Sequence, residues 1–415
     1  YQTEIISDEK FNAEYAETRV LLGHRPDSRT MTVNLSPKRR EKLLSVITEG
    51  GWLDVRQDAT IIEIAQLNGL LANAGEHFHW VRAQLFNIQQ QLRDEIKKGY
   101  GCELAKKRVR NQYEKTAYNM PSDMSYRLRF LEQKYMAKLL WNKKTKITIT
   151  NAIRNNIKTI YYYMRDNEYW STPIGHIIPR EPCCQSFGDS SHCAIGLYIK
   201  KMKVIALIPF SKSLFQKIKS EEEYKNAKGE KVHINVLEFI ALFLAFVVFK
   251  TKYEQDPTKY PPTPVLDAQG DSTSANAWWN KISTVSAHGQ NMLRVYAEYQ
   301  RTSQVCSVAT HIAGVDNKIA DDISRVQSLF QPEKTHIYDI PFEILLEQVC
   351  RKHKKFRSWD CFLPSKDLLL QIRSTVSSGF STEQHTMIKQ VGHFARVDSI
   401  LSNSATEKNL WKYFL

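Results

Sequence analysis

Residues 234–249, INVLEFIALFLAFVVF, form a nearly continuous apolar run in which Glu238 is the only charged side chain. A run of this composition predicts a helix that is buried on almost every face. It is shorter than the roughly 20 apolar residues that span a bilayer, and it contains Asn235 as well as Glu238. We therefore predict a globular domain built around a buried core helix, with no membrane partner.

Glu238 is unfavourable inside such a helix. An ionised carboxylate in an apolar interior costs several kcal/mol unless a cation or hydrogen-bond donors compensate it. Two interpretations remain open at this point. The side chain either points outward near the helix start, where the helix dipole favours an acid, or it binds a metal ion together with other ligands.

Three other acidic residues stand where they could meet Glu238. Asp189 follows a predicted strand in FGDSS, and Asp271 lies between a predicted strand and a predicted helix in GDSTSANAW. Because neighbouring parallel strands deliver their carboxyl ends to one edge of a sheet, Asp189 and Asp271 are expected to converge. Asp321, in ADDISR, stands near the start of a short helix, where an acid is often simply solvated.

Carboxylates gathered in one place repel each other unless a cation neutralises them. Mg²⁺ is the usual hard cation that carboxylates bind together with substrate phosphates. Two such ions can activate a water on one side of a phosphodiester and stabilise the leaving oxygen on the other, which is nuclease chemistry. We therefore predict that Asp189, Glu238 and Asp271 are catalytic ligands of two Mg²⁺ ions, with Asp321 as the candidate fourth ligand.

The order of predicted elements separates a helical half from an α/β half. A short hairpin at residues 20–33, with its turn at 25–28, precedes predicted helices at 36–50, 60–71, 81–98, 125–141 and 151–165. Strands follow at 183–188, 192–200, 202–209, 264–270 and 305–312, and helices at 234–250, 272–282, 292–302 and 317–325. This alternation predicts an α/β domain with a mixed sheet, followed by a helical tail.

The chain is strongly basic, with 58 Lys and Arg against 44 Asp and Glu, a net charge of +14 and a pI near 9.3. This excess favours a polyanionic partner, and RNA or an RNA–DNA hybrid is the leading candidate. Two basic clusters are candidate phosphate contacts, and a solvated helix face is the alternative interpretation. They are Lys106, Lys107, Arg108 and Arg110 in the helical half, and Arg351, Lys352, Lys354, Lys355 and Arg357 in the tail.

The seven cysteines include no C-x-x-C pair, which favours a reducing intracellular compartment without identifying it as nucleus, cytoplasm or mitochondrion. A zinc site at Cys183, Cys184, His192 and Cys193 is disfavoured, because adjacent ligands are poorly spaced for tetrahedral binding. The chain opens on Tyr1, so any targeting signal is unreadable.

Four segments carry a resemblance to a known family: HIIPREP with SFGDSS, HINVLEFIA, GDSTSANAW and HIAGVDNKIADDISR. They resemble the ribonuclease H domain of retrotransposon reverse transcriptases, in particular those of DIRS-like elements. The last segment is similar to the family ending H-x-P-G-x-x-N-x-x-A-D-x-L-S-R, which implies that Asp321, and not Asp322, is the fourth ligand. The resemblance implies a mixed five-stranded sheet with flanking helices. Integrases of this fold place their glutamate last, whereas Glu238 comes second.

The resemblance also covers the flanking regions. Residues 21–44 and 60–72 resemble the end of a reverse-transcriptase palm and its thumb. The resemblance as a whole implies four regions in the chain. These are a remnant of the palm-end hairpin at 1–35, a basic thumb- or connection-like region at 36–170, a ribonuclease H-like domain at 171–330 and a basic helical tail at 331–415. The paired aspartates of a polymerase hairpin are missing, so the chain is not expected to synthesise DNA on its own.

Three functions stay open from the sequence. The first is Mg²⁺-dependent hydrolysis of the RNA strand of RNA–DNA hybrids. The second is a non-catalytic, RNA-binding subunit of a large ribonucleoprotein, such as an organellar ribosome, because fold and function are separable. The third is one half of a split reverse transcriptase that a separate palm polypeptide completes, which exposed apolar residues on the 20–33 hairpin would support.

Overall fold

The computed structural model describes residues 24–100, 146–165, 171–177, 180–218, 232–261, 263–284, 286–330, 336–378, 388, 390–402 and 415. The amino-terminal part of the protein is mostly helical, as predicted. Its helices are α1 (Pro37–Glu49), α2 (Ile61–Gly75), α3 (His79–Gln84), α4 (Phe86–Tyr100) and α5 (Asn151–Arg165). The predicted helix at 125–141 and the basic cluster of Lys106, Lys107, Arg108 and Arg110 lie outside the described residues.

Local signals in the sequence set the starts of the first two helices. Pro37 occupies the first turn of α1, where its missing N–H removes no hydrogen bond. At α2 the Glu63 N–H donates to the Thr60 hydroxyl at 3.3 Å, and the Thr60 N–H donates to the Glu63 carboxylate at 2.8 Å. The capping box expected from the Thr60–Glu63 spacing is therefore confirmed.

The single helix predicted over residues 81–98 is wrong, because the structure breaks it at Leu85, between α3 and α4. The carbonyl oxygens just before the break accept hydrogen bonds from side chains. Gln290 donates to Ala83 at 2.7 Å, and Asn156 donates to Gln84. Helical periodicity gives no sign of this break, since Gln290 lies 207 residues further along the chain.

Five short strands form two small sheets beside these helices. They are β1 (His24–Asp27), β2 (Thr32–Leu35), β3 (Asp58–Thr60), β4 (Lys146–Thr148) and β5 (Ser171–Pro173), with β1-β2-β5 in one sheet and β3-β4 in the other. The β1–β2 turn spans residues 28–31 rather than the predicted 25–28. The Asp27 carboxylate fixes it by accepting from the N–H groups of Arg29 and Thr30 at 2.9 and 3.0 Å.

In the described part of the α/β half, seven strands form a mixed sheet. In chain order these are β6 (Cys184–Ser190), β7 (Ala194–Ile199), β8 (Val204–Pro209), β9 (Val265–Gly270), β10 (Cys306–His311), β11 (Asp360–Pro364) and β12 (Gly392–Arg396), and their spatial order is β10-β9-β6-β7-β8-β11-β12. Strands β6, β7 and β8 form an antiparallel meander, and β9 and β10 add in parallel beyond β6.

The expectation of five strands is therefore corrected to seven, because the tail that we predicted as helical supplies β11 and β12. Strand β11 joins β8 in parallel through Asp360 opposite Val204 and Cys361 opposite Ile205. The contact buries Cys361 fully. A short apolar run beside longer helical patterns is hard to recognise as a strand, since its pairing partner is distant in sequence.

The remaining helices lie around this sheet. They are α6 (Lys212–Phe215), α7 (Ile234–Gln255), α8 (Thr273–Lys281), α9 (Ala287–Arg301), α10 (Lys318–Ser324), α11 (Phe342–Lys352), α12 (Lys366–Ser378) and α13 (Val397–Ser402). Helix α7 is long and apolar enough to cross a membrane, but 78% of its most apolar window is buried inside the protein. It lies against β6 and β9, as the core helix that the sequence predicts.

Helix α10 lies directly on the opposite side of the meander because Gly196 leaves room for it. A Cβ atom at Gly196 would come within 2.5 Å of the Ser324 N–H and 2.6 Å of the Ala320 carbonyl oxygen. Only glycine permits this approach of strand β7 to helix α10. The contact fixes the position of the ADDISR segment relative to the sheet.

Candidate metal centre

Two neighbouring strand ends bring Asp189 and Asp271 together, as the sequence predicts. Strands β6 and β9 pair in parallel, with Phe187 opposite Gln269. Asp189 lies two residues after Phe187, near the end of β6, and Asp271 lies two residues after Gln269, directly after β9. Both carboxylates therefore lie at the carboxyl-terminal edge of the parallel pair.

Glu238 completes the group from the first turns of α7. The helix begins after His233, whose imidazole accepts the Asn235 N–H at 3.1 Å. Carboxylate oxygens of Asp189, Glu238 and Asp271 all lie within 4.8 Å of one another, and we call these three residues the acidic triad. The alternative that Glu238 points outward is wrong, since only 7% of its surface is exposed.

Burial and repulsion from neighbouring acids disfavour the ionised forms of Asp189 and Glu238. Burial first, and then repulsion from Asp271 and Asp321, raise the pKa of Asp189 to about 6, against a hydrogen bond from Ser324 that lowers it. Burial is also the main reason that the pKa of Glu238 lies well above its usual value, and repulsion from Asp189 and Asp271 adds to it. The triad therefore carries negative charge that the protein itself leaves partly uncompensated.

Hydrogen bonds from neighbouring elements position the triad. The Ser324 hydroxyl donates to Asp189 at 2.5 Å, and the Ser190 N–H donates to Glu238 at 3.2 Å. These partners position the two ligands and leave other carboxylate oxygens available.

A pair of asparagines holds the two strand ends themselves. Asn317 donates to the carbonyl oxygen of Gly188 at 2.9 Å, directly before Asp189. Asn276 donates at the same distance to the carbonyl oxygen of Gly270, directly before Asp271. Sequence reasoning missed both asparagines. Asn276 stands six residues after Gly270, within the next helix, but Asn317 lies 129 residues beyond Gly188, so no local pattern connects it with that strand end.

Asp321 lies beside the triad but outside it. Its carboxylate forms an ion pair with Arg325, four residues later at the end of α10. The neighbouring Asp322 faces the tail instead, where its carboxylate oxygens lie 2.6 Å from Lys352 Nζ and 2.9 Å from His353 Nε2. Of the two adjacent aspartates, Asp321 is therefore the one that faces the triad, and its role as a fourth ligand stays a prediction.

A cavity of about 400 Å³ opens above the acidic triad. Hydroxyl groups of Ser190, Ser191, Ser272, Thr273 and Ser274 line it together with Asn235, His192, Ile234 and Arg325. Among these described lining residues, Arg325 alone carries a permanent positive charge. The cavity is thus open, polar and acidic at its base.

The donor set of the triad fits a hard divalent cation. Carboxylate oxygens from three different elements converge within 4.8 Å, and two of the three acids are buried. Such convergence is unfavourable without a cation, and all-oxygen ligands suit Mg²⁺ better than softer metals. The acidic triad could therefore hold a divalent metal ion.

The cysteines, by contrast, do not form a metal site in the part of the chain that the structure describes. The acidic triad is the metal-ligand group found there, and Cys183, Cys184 and Cys193 are free thiols. Burial raises the pKa of Cys184 to about 12, which keeps it protonated.

The basic residues of the tail are exposed, but three of the five already contact acids of this chain. Arg351 and Arg357 both pair with Glu347, at 3.2 and 2.6 Å, and Lys352 pairs with Asp322. A contact with nucleic-acid phosphates stays a prediction for the whole cluster. It comprises Arg351, Lys352, Lys354, Lys355 and Arg357.

The acidic triad is thus defined by its geometry, its burial and the support of its neighbours. Compared with known protein families, with curated proteins and with solved structures, the chain gives no match in any of the three comparisons. Its function has to be inferred from the site itself and from the motifs that carry its residues.

Proposed function

We propose that the protein is a retrotransposon-derived, ribonuclease H-like enzyme that hydrolyses the RNA strand of RNA–DNA hybrids. The observation that carries this proposal is the acidic triad at the carboxyl ends of two parallel strands, beneath an open polar cavity. Converging carboxylates of this kind bind the metal ions of phosphodiester hydrolysis.

Each residue of the site has a defined part in the proposed reaction. Asp189, Glu238 and Asp271 hold the metal, and Asp321 lies next to them for a second ligand position. Bound Mg²⁺ supplies Lewis-acid stabilisation of the phosphate charge and lowers the pKa of a water nucleophile. Ser324 and Ser190 keep their carboxylates oriented, and the open cavity admits the sugar-phosphate backbone.

The order of the acids supports a ribonuclease H relationship over other nucleases. Asp189 lies on a strand, Glu238 on a helix, Asp271 at a strand end and Asp321 on a helix, in the same order as the motifs that resemble ribonuclease H. Three antiparallel strands followed by two parallel ones are consistent with that relationship. Two further strands and the helical half extend the domain on either side.

A hybrid substrate accounts for the basic surface of the chain. The net charge of +14 favours a polyanion. Recognition of a near A-form hybrid through its backbone needs positive charge and shape more than contacts with base edges. We therefore expect cleavage with little dependence on base sequence.

Cleavage of a labelled RNA–DNA hybrid in Mg²⁺ tests this function. Wild-type protein is expected to cut the RNA strand. The cleavage rates of Asp271→Asn and Glu238→Gln should be at least about 100-fold lower, because each substitution removes a ligand charge from the metal site. Asp267→Asn is the matched control. Asp267 is a buried acid of β9, outside the triad, and the neutral donors Thr310 and Gln269 bind it at 2.6 and 2.8 Å. The cleavage rate of Asp267→Asn should therefore stay near that of wild type.

A second candidate, a non-catalytic RNA-binding subunit, is favoured by the strong positive charge alone. Pure wild-type protein that binds RNA tightly without cutting a hybrid would support it and contradict the enzyme. The split-polymerase alternative gains no support from the described part of the hairpin, where Val33 and Leu35 are buried within the protein.

A further inference from the structure

Arg325 lines the cavity above the acidic triad and forms an ion pair with Asp321. The exposed fractions of the two side chains are 36% and 61%, so the pair is accessible from solvent. We propose that Arg325 is a positioning residue that holds Asp321 away from the triad, so that a second divalent ion binds only after this ion pair has opened. This inference rests on the proposed metal function and deepens it.

The helix that carries Asp321 is fixed on both sides. Asp322 is bound to Lys352 and His353 of the tail, at 2.6 and 2.9 Å. Ser324 donates to Asp189. Because the backbone of α10 is held in this way, Asp321 can change its partner only by rotating its side chain.

The present partner of that side chain is Arg325. A carboxylate at position i and a guanidinium at i+4 lie next to each other on one helix face, so the pair forms without help from other elements. Oxygens of Asp189, Glu238 and Asp271 form a compact group within 4.8 Å, and Asp321 does not belong to it. The four predicted ligands are thus divided into three that are assembled and one that is held by Arg325.

The charges explain why this division affects metal binding. The ionised triad carries three negative charges, so two divalent ions would leave one excess positive charge on the triad alone. Asp321 is the nearby acid that would balance this excess, and it already repels Asp189 electrostatically. While Arg325 neutralises Asp321, the three acids of the triad are available to a first ion. A second ion then lacks the charge that Asp321 would provide.

The strength of the ion pair sets the size of the expected effect. An exposed pair contributes up to about 1 kcal/mol, which corresponds to about fivefold in a binding constant. Arg325 also attracts Asp189 and Glu238 electrostatically, so its removal changes the field of the site as well. A test has to separate the hold on Asp321 from this general charge effect.

A double-mutant cycle on the full chain makes that separation, with Mn²⁺ as the probe and the electron paramagnetic resonance signal of free Mn²⁺ as the readout. Wild-type protein is expected to bind one Mn²⁺ ion tightly and a second more weakly. Arg325→Gln should strengthen the second site by up to about fivefold. The same substitution in the Asp321→Asn background should give a clearly smaller change, because the residue that Arg325 holds is no longer an acid.

Lys259→Gln is the matched control for charge and solubility. Lys259 forms an exposed ion pair with Asp256 beyond the far end of α7, so its loss should leave both Mn²⁺ affinities unchanged. An Arg325→Gln protein whose second affinity equals that of wild type overturns the inference, as does an equal gain in both Asp321 and Asp321→Asn backgrounds. Wild-type protein that binds no Mn²⁺ contradicts the proposed function itself, so the two failures are distinguishable.

Discussion

The acidic triad differs from the surface of helix α9 that contacts the helical half in how buried charges are compensated. On α9, the side chains of Glu298 and Arg301 are only 8% and 9% exposed, and the guanidinium donates to the carboxylate at 3.1 and 2.9 Å. In the triad, buried carboxylates face one another without a buried cation from the protein. A buried charge that has an internal counter-charge holds structure together, whereas buried like charges indicate a ligand from outside.

The surface of α9 joins the two halves of the protein through similar internal partners. Gln290 donates to the Ala83 carbonyl oxygen at 2.7 Å, and His79 bonds to Gln300 at 2.8 Å. The Arg301 guanidinium also lies over the ring of Tyr163, 4.8 Å from its centroid. The helical half is therefore attached to the α/β half by contacts between groups of the protein itself.

The largest expected effect comes from breaking the buried pair on α9. Arg301→Ala leaves Glu298 as an uncompensated buried acid, so the free energy of unfolding should fall by about 3–5 kcal/mol. Lys259→Ala removes a cation from an exposed pair with the same i, i+3 spacing, and should cost at most about 1 kcal/mol. Urea denaturation of both variants measures the difference, and equal losses would contradict the distinction between buried and exposed pairs.

Because the triad has no buried counter-charge, the free energy of unfolding should depend on pH. The pKa of Asp189 is raised from 3.8 to about 6 in the folded protein, so folding favours its protonated form. This contribution to stability is complete below about pH 4 and is lost as the pH rises through 6, for a total of about 3 kcal/mol. Denaturation in EDTA should show a smaller fall in Asp189→Asn than in wild type, because the raised pKa of Glu238 still contributes to the fall in the variant.

Two outcomes complete that comparison. Saturating Mg²⁺ should remove the fall in wild type, because a bound cation stabilises the ionised carboxylate. Parallel pH profiles of wild type and Asp189→Asn in EDTA would contradict the account of the triad.

A smaller effect is expected from the support of the strand ends. Asn317→Ala removes the donor to the buried Gly188 carbonyl and should lower the free energy of unfolding by about 1–2 kcal/mol. Because the bond lies directly before Asp189, Mg²⁺ affinity should also fall, by about 10- to 100-fold. Asn280→Ala is the control: Asn280 donates to Ala309 at 2.7 Å, away from the triad, and should affect stability without affecting Mg²⁺ binding. Calorimetric titration with Mg²⁺ distinguishes the two variants. An Asn317→Ala protein that binds Mg²⁺ with the same affinity as Asn280→Ala would show that Asn317 is not a positioning residue.

The sequence could predict the triad because each of its residues stands in a strong local pattern. Glu238 interrupts an apolar helix, and Asp189 and Asp271 end strands whose parallel pairing follows from the α/β alternation. The core helix and the first strand of the sheet were located within a few residues for the same reason.

Other features depend on partners that are far away in the sequence. The attachment of β11 rests on two residues that pair with β8, and the break at Leu85 rests on donors from α5 and α9. Asp321 and Arg325 are an intermediate case. Their i, i+4 spacing is visible in the sequence, but only the fold shows that Arg325 lines the cavity above the triad.

The dependence of stability on Mg²⁺ at pH 7 tests most directly whether the triad is a metal site. The free energy of unfolding of wild-type protein should rise with Mg²⁺ concentration, by about 1.4 kcal/mol for each tenfold increase above the dissociation constant of one bound ion. Asp271→Asn should show little rise, and Asp267→Asn should behave as wild type. A wild-type protein whose stability is indifferent to Mg²⁺, or an equal rise in Asp271→Asn, would contradict the metal site.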